Sequence, residues 1–263
     1  MNRRDLIRLG SVTLTSAVVA SACGAQANVE SSSNIAAAGT VVPNDKLADL
    51  PVDDVVLLRT AASLEASVAA LYNAILGTDG LLSGDYAPAA ALLRRFRDDH
   101  LEHADAVNGL VRAGGGTPWT KPNPRIDDRY FVPALAVVTA DGNPDAALDA
   151  VTLALAAETL AGQTYQGVIG SLEAASLRAA AIGVGQDEAR HAVVLAQLLN
   201  PGYAGVAPST DESGRPTVAS VPSTFGALSS VQVRLGDPGD AGAKQAFIFE
   251  TPSLNALIYT SMT

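Results

Sequence analysis

Apolar side chains recur every three to four residues through four long stretches of the chain, separated by glycine, proline and aspartate clusters. That period puts them on one face of a helix, and it predicts helices over 51–76, 86–112, 144–170 and from 172 or 175 to 199. Asp53 and Asp54 fall in the first turn, where the helix dipole favours negative charge. Gly77-Thr78-Asp79-Gly80, Gly114-Gly115-Gly116 and Pro201-Gly202 close the first, second and fourth helices. Arg94, Arg95, Arg97, Asp98 and Glu102 mark the wet side of the second. Gly183 and Gly185 interrupt the fourth at ~1 kcal/mol each against alanine, which points to a close helix approach or a local bulge. The link 117–142 carries Pro118, Pro122, Pro124, Pro133 and the single tryptophan, Trp119, so it cannot be regular helix throughout. Past residue 201 the periodicity ends, and only short apolar runs such as Phe247-Ile248-Phe249 and Leu257-Ile258-Tyr259 are expected to lie against the helices.

The exceptions to the apolar stripes carry the chemistry. Glu188 and His191 share a face with Ala181, Val184, Ala192 and Leu195. Burying a carboxylate and an imidazole without partners costs several kcal/mol, and a bound metal offsets that cost. Asp99-His100-Leu101-Glu102-His103-Ala104 aligns with Asp187-Glu188-Ala189-Arg190-His191-Ala192, and all three histidines of the chain fall in these two stretches. Glu65 lies among Leu58, Ala61, Ala62, Val68, Ala69 and Tyr72; Glu158 lies among Val151, Ala154, Leu155, Ala161, Gly162 and Tyr165. Glu102 is a control: Arg95, Asp98, Asp99 and Asp105 surround it, so it belongs to a polar face and is no ligand candidate. Glu65 precedes His103 by 38 residues and Glu158 precedes His191 by 33, so the chain repeats one unit, a helix with a buried glutamate followed by a helix with an acid/imidazole pair.

Two such hairpins make a four-helix bundle with Glu65, His100, His103, Glu158, Glu188 and His191 directed at its core. Over about 52–200 this order of glutamates and histidines resembles the ferritin-like superfamily, the di-iron carboxylate bundles. The resemblance implies an all-α, antiparallel four-helix bundle with a long crossover between helices two and three, followed by an irregular C-terminal tail. It also implies metal-ion ligation, iron or manganese with two ions expected, and chemistry on ferrous iron, oxygen or peroxide. Mixed carboxylate and imidazole donors suit those metals better than calcium, and no thiolate is at hand. Asp99 and Asp187 each precede a ligand histidine by four residues, and could orient an imidazole or simply be surface acids. Tyr72 and Tyr165 are either outer hydrogen-bond partners of the site or core aromatics.

One position departs from the family pattern. His100 stands where a glutamate is expected, leaving three carboxylates where the pattern has four, and a histidine cannot bridge two metals as a carboxylate does. An asymmetric di-metal site, one strong and one weak metal, or a remnant site would each follow.

Composition narrows the classes further. Hydrophobic content is 48% with only 5% aromatic, so the core is built from Ala, Val and Leu. A net charge of −10 argues against nucleic acid as a partner. The one cysteine, Cys23, excludes a disulfide framework within the chain. Asn2-Arg3-Arg4-Asp5-Leu6-Ile7-Arg8 resembles a twin-arginine export motif, and the uncharged run to Ala22 is too short to span a bilayer comfortably. Ala20-Ser21-Ala22-Cys23 resembles a lipobox, against the alternative of a short anchor with an incidental cysteine. The expected organisation is a signal peptide over 1–22, a tether over 23–50, the bundle over 51–200 and an extension over 201–263 packing on it. Cys23 would then carry a lipid anchor on the outer face of the cytoplasmic membrane. Two function classes follow: an envelope metalloenzyme, or a surface lipoprotein that kept the bundle and lost turnover. A tether and the tail over 201–263 disfavour a third, iron storage in a closed cage.

Overall fold

The computed structural model describes residues 52–202, 230–239 and 242–250. The N-terminal export motif, Cys23, the tether and Leu257–Tyr259 lie outside the described residues. Four long helices form the body: α1, Asp54–Gly77; α2, Ala89–Ala113; α4, Ala146–Ile169; and α5, Ala175–Leu199. Between α2 and α4 the chain is helical over Pro124–Ile126 and Val132–Val138, with a wider π-helical turn at Asp127–Phe131; together these are α3.

α1 and α4 are buried nearly all round, whereas α2 and α5 bury one face each. The sequence explains the difference: a helix apolar on every side must be covered on every side. α1 is long and apolar enough to cross a membrane by composition, but Leu57, Leu64, Val68 and Tyr72 are core side chains of the bundle. The core forms two apolar clusters. One holds Leu64, Tyr72, Leu93, Leu153 and Leu195; the other holds Leu57, Val107, Val111, Tyr165 and Leu172. α1 and α5 pass from the second cluster to the first, while α2 and α4 run the opposite way. Two successive helices with the same sense need a crossover, which is what 114–145 supplies.

Hydrogen bonds pin the crossover. The Asn108 side chain donates to the Trp119 carbonyl (2.7 Å) and accepts from its N–H (2.8 Å). Asn123 is 1% exposed; its amide donates to Ser63 Oγ and its backbone N–H to Ser67 Oγ, both on α1. Its Oδ1 then caps α3 at Arg125 N–H (3.0 Å). Pro124 opens α3, where a missing N–H costs nothing. The wide turn precedes Pro133, which has no N–H to return to the carbonyl four residues earlier. The prolines therefore shape this helix without preventing it. Asp53 caps α1 by accepting from Val56 N–H, and Asp54 accepts from Glu173 N–H (2.7 Å) at the start of α5.

Within the tail, β1 (Ser230–Leu235) and β2 (Gln245–Glu250) form an antiparallel pair with Val233 opposite Phe247. Val233, Leu235 and Phe249 are buried in the first cluster, and Phe249 meets Tyr130 (5.5 Å) and Phe131 (5.9 Å) of α3. Asp149 on α4 anchors the hairpin, accepting from Gly236 N–H (2.7 Å) and Lys244 Nζ (2.6 Å). Gly236 has φ +91°, and a Cβ there would stand 2.3 Å from Val137 Cγ1, so only glycine fits. The fold is thus an all-α bundle with a small β pair in part of what its composition suggests is irregular.

Candidate metal centre

The six residues named from the sequence converge between the two apolar clusters. Glu65, His100, Glu158 and Glu188 are 0% exposed, and His191 is 7% exposed. Their donor atoms, with those of His103, fall into two groups, Glu65/His100/His103/Glu188 and His100/Glu158/Glu188/His191, each with all atoms within 4.8 Å of one another. Glu102 is exposed, as its polar neighbours require.

Each half of the site is built by both hairpins. His100 on α2 places Nδ1 2.6 Å from Glu65 Oε2 and Nε2 3.2 Å from Glu158 Oε1. His103 Nδ1 lies 2.8 Å from Glu188 Oε1 and 3.8 Å from Glu65 Oε2. His191 Nδ1 lies 3.4 Å from Glu158 Oε2 and 3.5 Å from Glu188 Oε2. The outer nitrogens of these two histidines meet aspartates of the opposite hairpin: His191 Nε2 is 3.3 Å from Asp99 Oδ2, and His103 Nε2 is 3.5 Å from Asp187 Oδ2. In the neutral ring that a metal requires, an aspartate there favours the Nε2–H tautomer and turns the Nδ1 lone pair inward. Arg95 in turn holds Asp99, its Nε 3.1 Å from Oδ2.

The tyrosines exchange partners in the same way. Tyr72, on the helix of Glu65, donates to Glu158 Oε1; Tyr165, on the helix of Glu158, donates to Glu65 Oε1. Both sit two helical turns from their own glutamate, about 10 Å along the axis, so only the other helix's glutamate is in reach. Gly185 on α5 makes room for Tyr165: a Cβ there would stand 3.0 Å from Tyr165 Cβ. Gly183 has nothing within 4 Å, and nothing in the structure calls for glycine there. Phe96, which the sequence did not mark out, stacks on the His191 ring at 4.0 Å. Its signal was available, since it precedes His100 by four residues on the inward face of α2.

Burial and charge set the protonation of the set. Burial alone would raise Glu65, but hydrogen bonds to His100 and His103 hold it down at about 2. Glu158 is likewise lowered against its burial by the charge and hydrogen bond of His100 and by His191. Glu188 is raised, because burial outweighs His100 and the charge of Glu65 works with it. Burial opposes the imidazolium forms, yet the glutamates carry His103 and His191 up to about 9 and His100 well above its ordinary value. Burial and the neighbouring carboxylates push Tyr72 and Tyr165 far up, so both remain O–H donors.

Among the described residues, three buried ligand atoms of this group have no hydrogen-bond partner: Glu158 Oε2, Glu188 Oε2 and His191 Nδ1. His191 Nδ1 stands 3.4 Å from Glu158 Oε2 and 3.5 Å from Glu188 Oε2. Buried polar atoms are normally satisfied; three facing one point, all of metal-ligand type, fit a cation. Carboxylate and imidazole donors in this ratio suit iron or manganese.

The chain matches the family model described as "Ferritin-like domain" over residues 53–201 and belongs to that family. Neither the curated proteins nor the solved structures contain a match.

Proposed function

We propose that the chain is a metal-binding enzyme of the cell envelope, a di-iron or di-manganese oxidoreductase acting on ferrous iron, oxygen or peroxide. The observation that supports it most directly is the group of partnerless buried donors, Glu158 Oε2, Glu188 Oε2 and His191 Nδ1, inside a family of ferritin-like bundles. Glu65, His100, His103 and Glu188 would hold one ion, and His100, Glu158, Glu188 and His191 the other. Bound iron or manganese supplies redox and Lewis-acid chemistry toward oxygen or peroxide. The chain's own residues do the rest. Asp99 and Asp187 fix the imidazole orientations, Tyr72 and Tyr165 hold one oxygen each of Glu158 and Glu65, and the apolar clusters keep bulk water out. Each tyrosine hydroxyl places a proton on one glutamate oxygen, Tyr72 at Glu158 Oε1 and Tyr165 at Glu65 Oε1.

The export motif and Cys23 support a lipid-anchored location on the outer face of the cytoplasmic membrane, with the folded, loaded domain exported whole. Metal analysis of purified protein beside Glu158→Ala and His191→Ala, then anaerobic ferrous loading followed by oxygen or peroxide, tests the reading. Metal bound in the wild type and lost in the variants, with an absorbance change on adding the oxidant, is expected. Bound metal without any oxidant response would leave a non-catalytic surface lipoprotein, and no metal in any form would overturn the centre itself.

A further inference from the structure

His100 differs from the other two histidines in a way that bears on its place in the family pattern. His103 and His191 each turn Nδ1 inward and Nε2 outward to an aspartate. Among the described residues, both nitrogens of His100 meet glutamates of the site and neither meets an outer aspartate. Its Nδ1 faces Glu65 Oε2 at 2.6 Å, and its Nε2 faces Glu158 Oε1 at 3.2 Å and Glu188 Oε2 at 3.6 Å. The ring is fully buried and stands between α1 and α4, one nitrogen toward each donor group.

Resting on the metal-binding reading above, we propose that His100 joins two metal positions, ligating one through Nδ1 and the other through Nε2. The position next to Nδ1 is completed by Glu65, His103 and Glu188 Oε1; that next to Nε2 by Glu158, His191 and Glu188 Oε2. Bridging in this way also sets the charge of the site. A ring bound at both nitrogens has given up both N–H protons to solvent and carries one negative charge, as cations at close range deprotonate their ligands. With three glutamates the donors then carry four negative charges, equal to two divalent ions, and a buried site needs that balance. The histidine thereby replaces the charge of the missing glutamate while bridging by another geometry. Because ring nitrogens diverge, two bonds of ~2 Å hold the ions about 6 Å apart, beyond the roughly 3.5–4 Å of common two-metal sites.

The test uses the purified chain, stripped with chelator and loaded with Mn(II), read by metal analysis and X-ray absorption. Wild type should bind two ions per chain with no metal–metal scattering at ~3.5–4 Å. His100→Glu should bind two ions with that short vector restored, and His100→Ala should keep one at most. One ion per chain in wild type, or two with the short vector, overturns the proposal, as does His100→Ala retaining both. The wild-type measurement decides even where a variant fails to fold. Failure to bind any Mn(II) or Fe(II) would remove the metal centre as a whole, a result distinct from a single or closely spaced ion.

Discussion

Removing the hydroxyl of Tyr165 should cost the metal-free protein more than removing that of Tyr72. The two hydrogen bonds are related by the internal repeat, but their acceptors are not equivalently supplied. Glu158 Oε1 receives Tyr72 O–H and also has His100 Nε2 at 3.2 Å. Among the described residues, Glu65 Oε1 has Tyr165 O–H as its donor, since His100 and His103 meet the other oxygen, Oε2. A hydrogen bond to a charged group is worth about 1.5–3 kcal/mol, and stranding a buried acceptor sits at the upper end. Tyr165→Phe is therefore expected to lose about 3 kcal/mol and Tyr72→Phe about 1.5 kcal/mol. At roughly 2–4 °C per kcal/mol for a domain of this size, Tm falls by about 6–12 °C and about 3–6 °C respectively. Urea and thermal unfolding of chelator-treated protein measure both. In a double-mutant cycle, Tyr165→Phe with Glu65→Gln should fall short of additivity by at least ~1 kcal/mol. Equal losses, a larger loss for Tyr72→Phe, or full additivity would refute the reasoning.

Gly183→Ala, with open space at its Cβ, should stabilise the protein by ~1 kcal/mol, whereas Gly185→Ala, 3.0 Å from Tyr165, should gain nothing and lower metal content; equal effects in melting and metal analysis would count against the close approach. His103 and His191 are raised from 6.5 to about 9, so in metal-free protein their stabilising effect is complete below pH 6.5 and is lost as pH rises through about 9. Melting temperature should fall across that window after chelation and stay flatter after metal loading, where ions take the protons' place; a level profile in the stripped protein contradicts the assignment. Asp149→Ala removes the acceptor for Gly236 N–H and leaves Lys244 Nζ with Asp145 Oδ2 at 2.9 Å, so the hairpin's hold on α4 should loosen and 230–250 become the first site of limited proteolysis. Unchanged cleavage would show that Phe249 and Leu235 hold it unaided.

A helix period of 3.6 residues is a local property, so the sequence by itself determined the buried faces of α2 and α5 and the apolar character of α1 and α4 nearly all round. It therefore also determined that Glu65, His100, Glu158, Glu188 and His191 interrupt those faces, and that the pattern repeats. The same logic set Glu102 apart, and the family match over 53–201 agrees with the ferritin-like resemblance carried by the order of glutamates and histidines. Tertiary structure alone decided which face meets which. Tyr72 serves Glu158 and not Glu65, Asp99 serves His191 and not His103, and the two nitrogens of His100 divide between the two donor groups. No periodicity encodes those pairings, because they depend on how four helices stack and on the crossover that reverses the second hairpin. The pair β1–β2 was equally hidden: strands of 6 residues are held by Asp149 on α4, by the rings of α3 and by burial of Val233, Leu235 and Phe249 in the first cluster, contacts that exist once the bundle has formed.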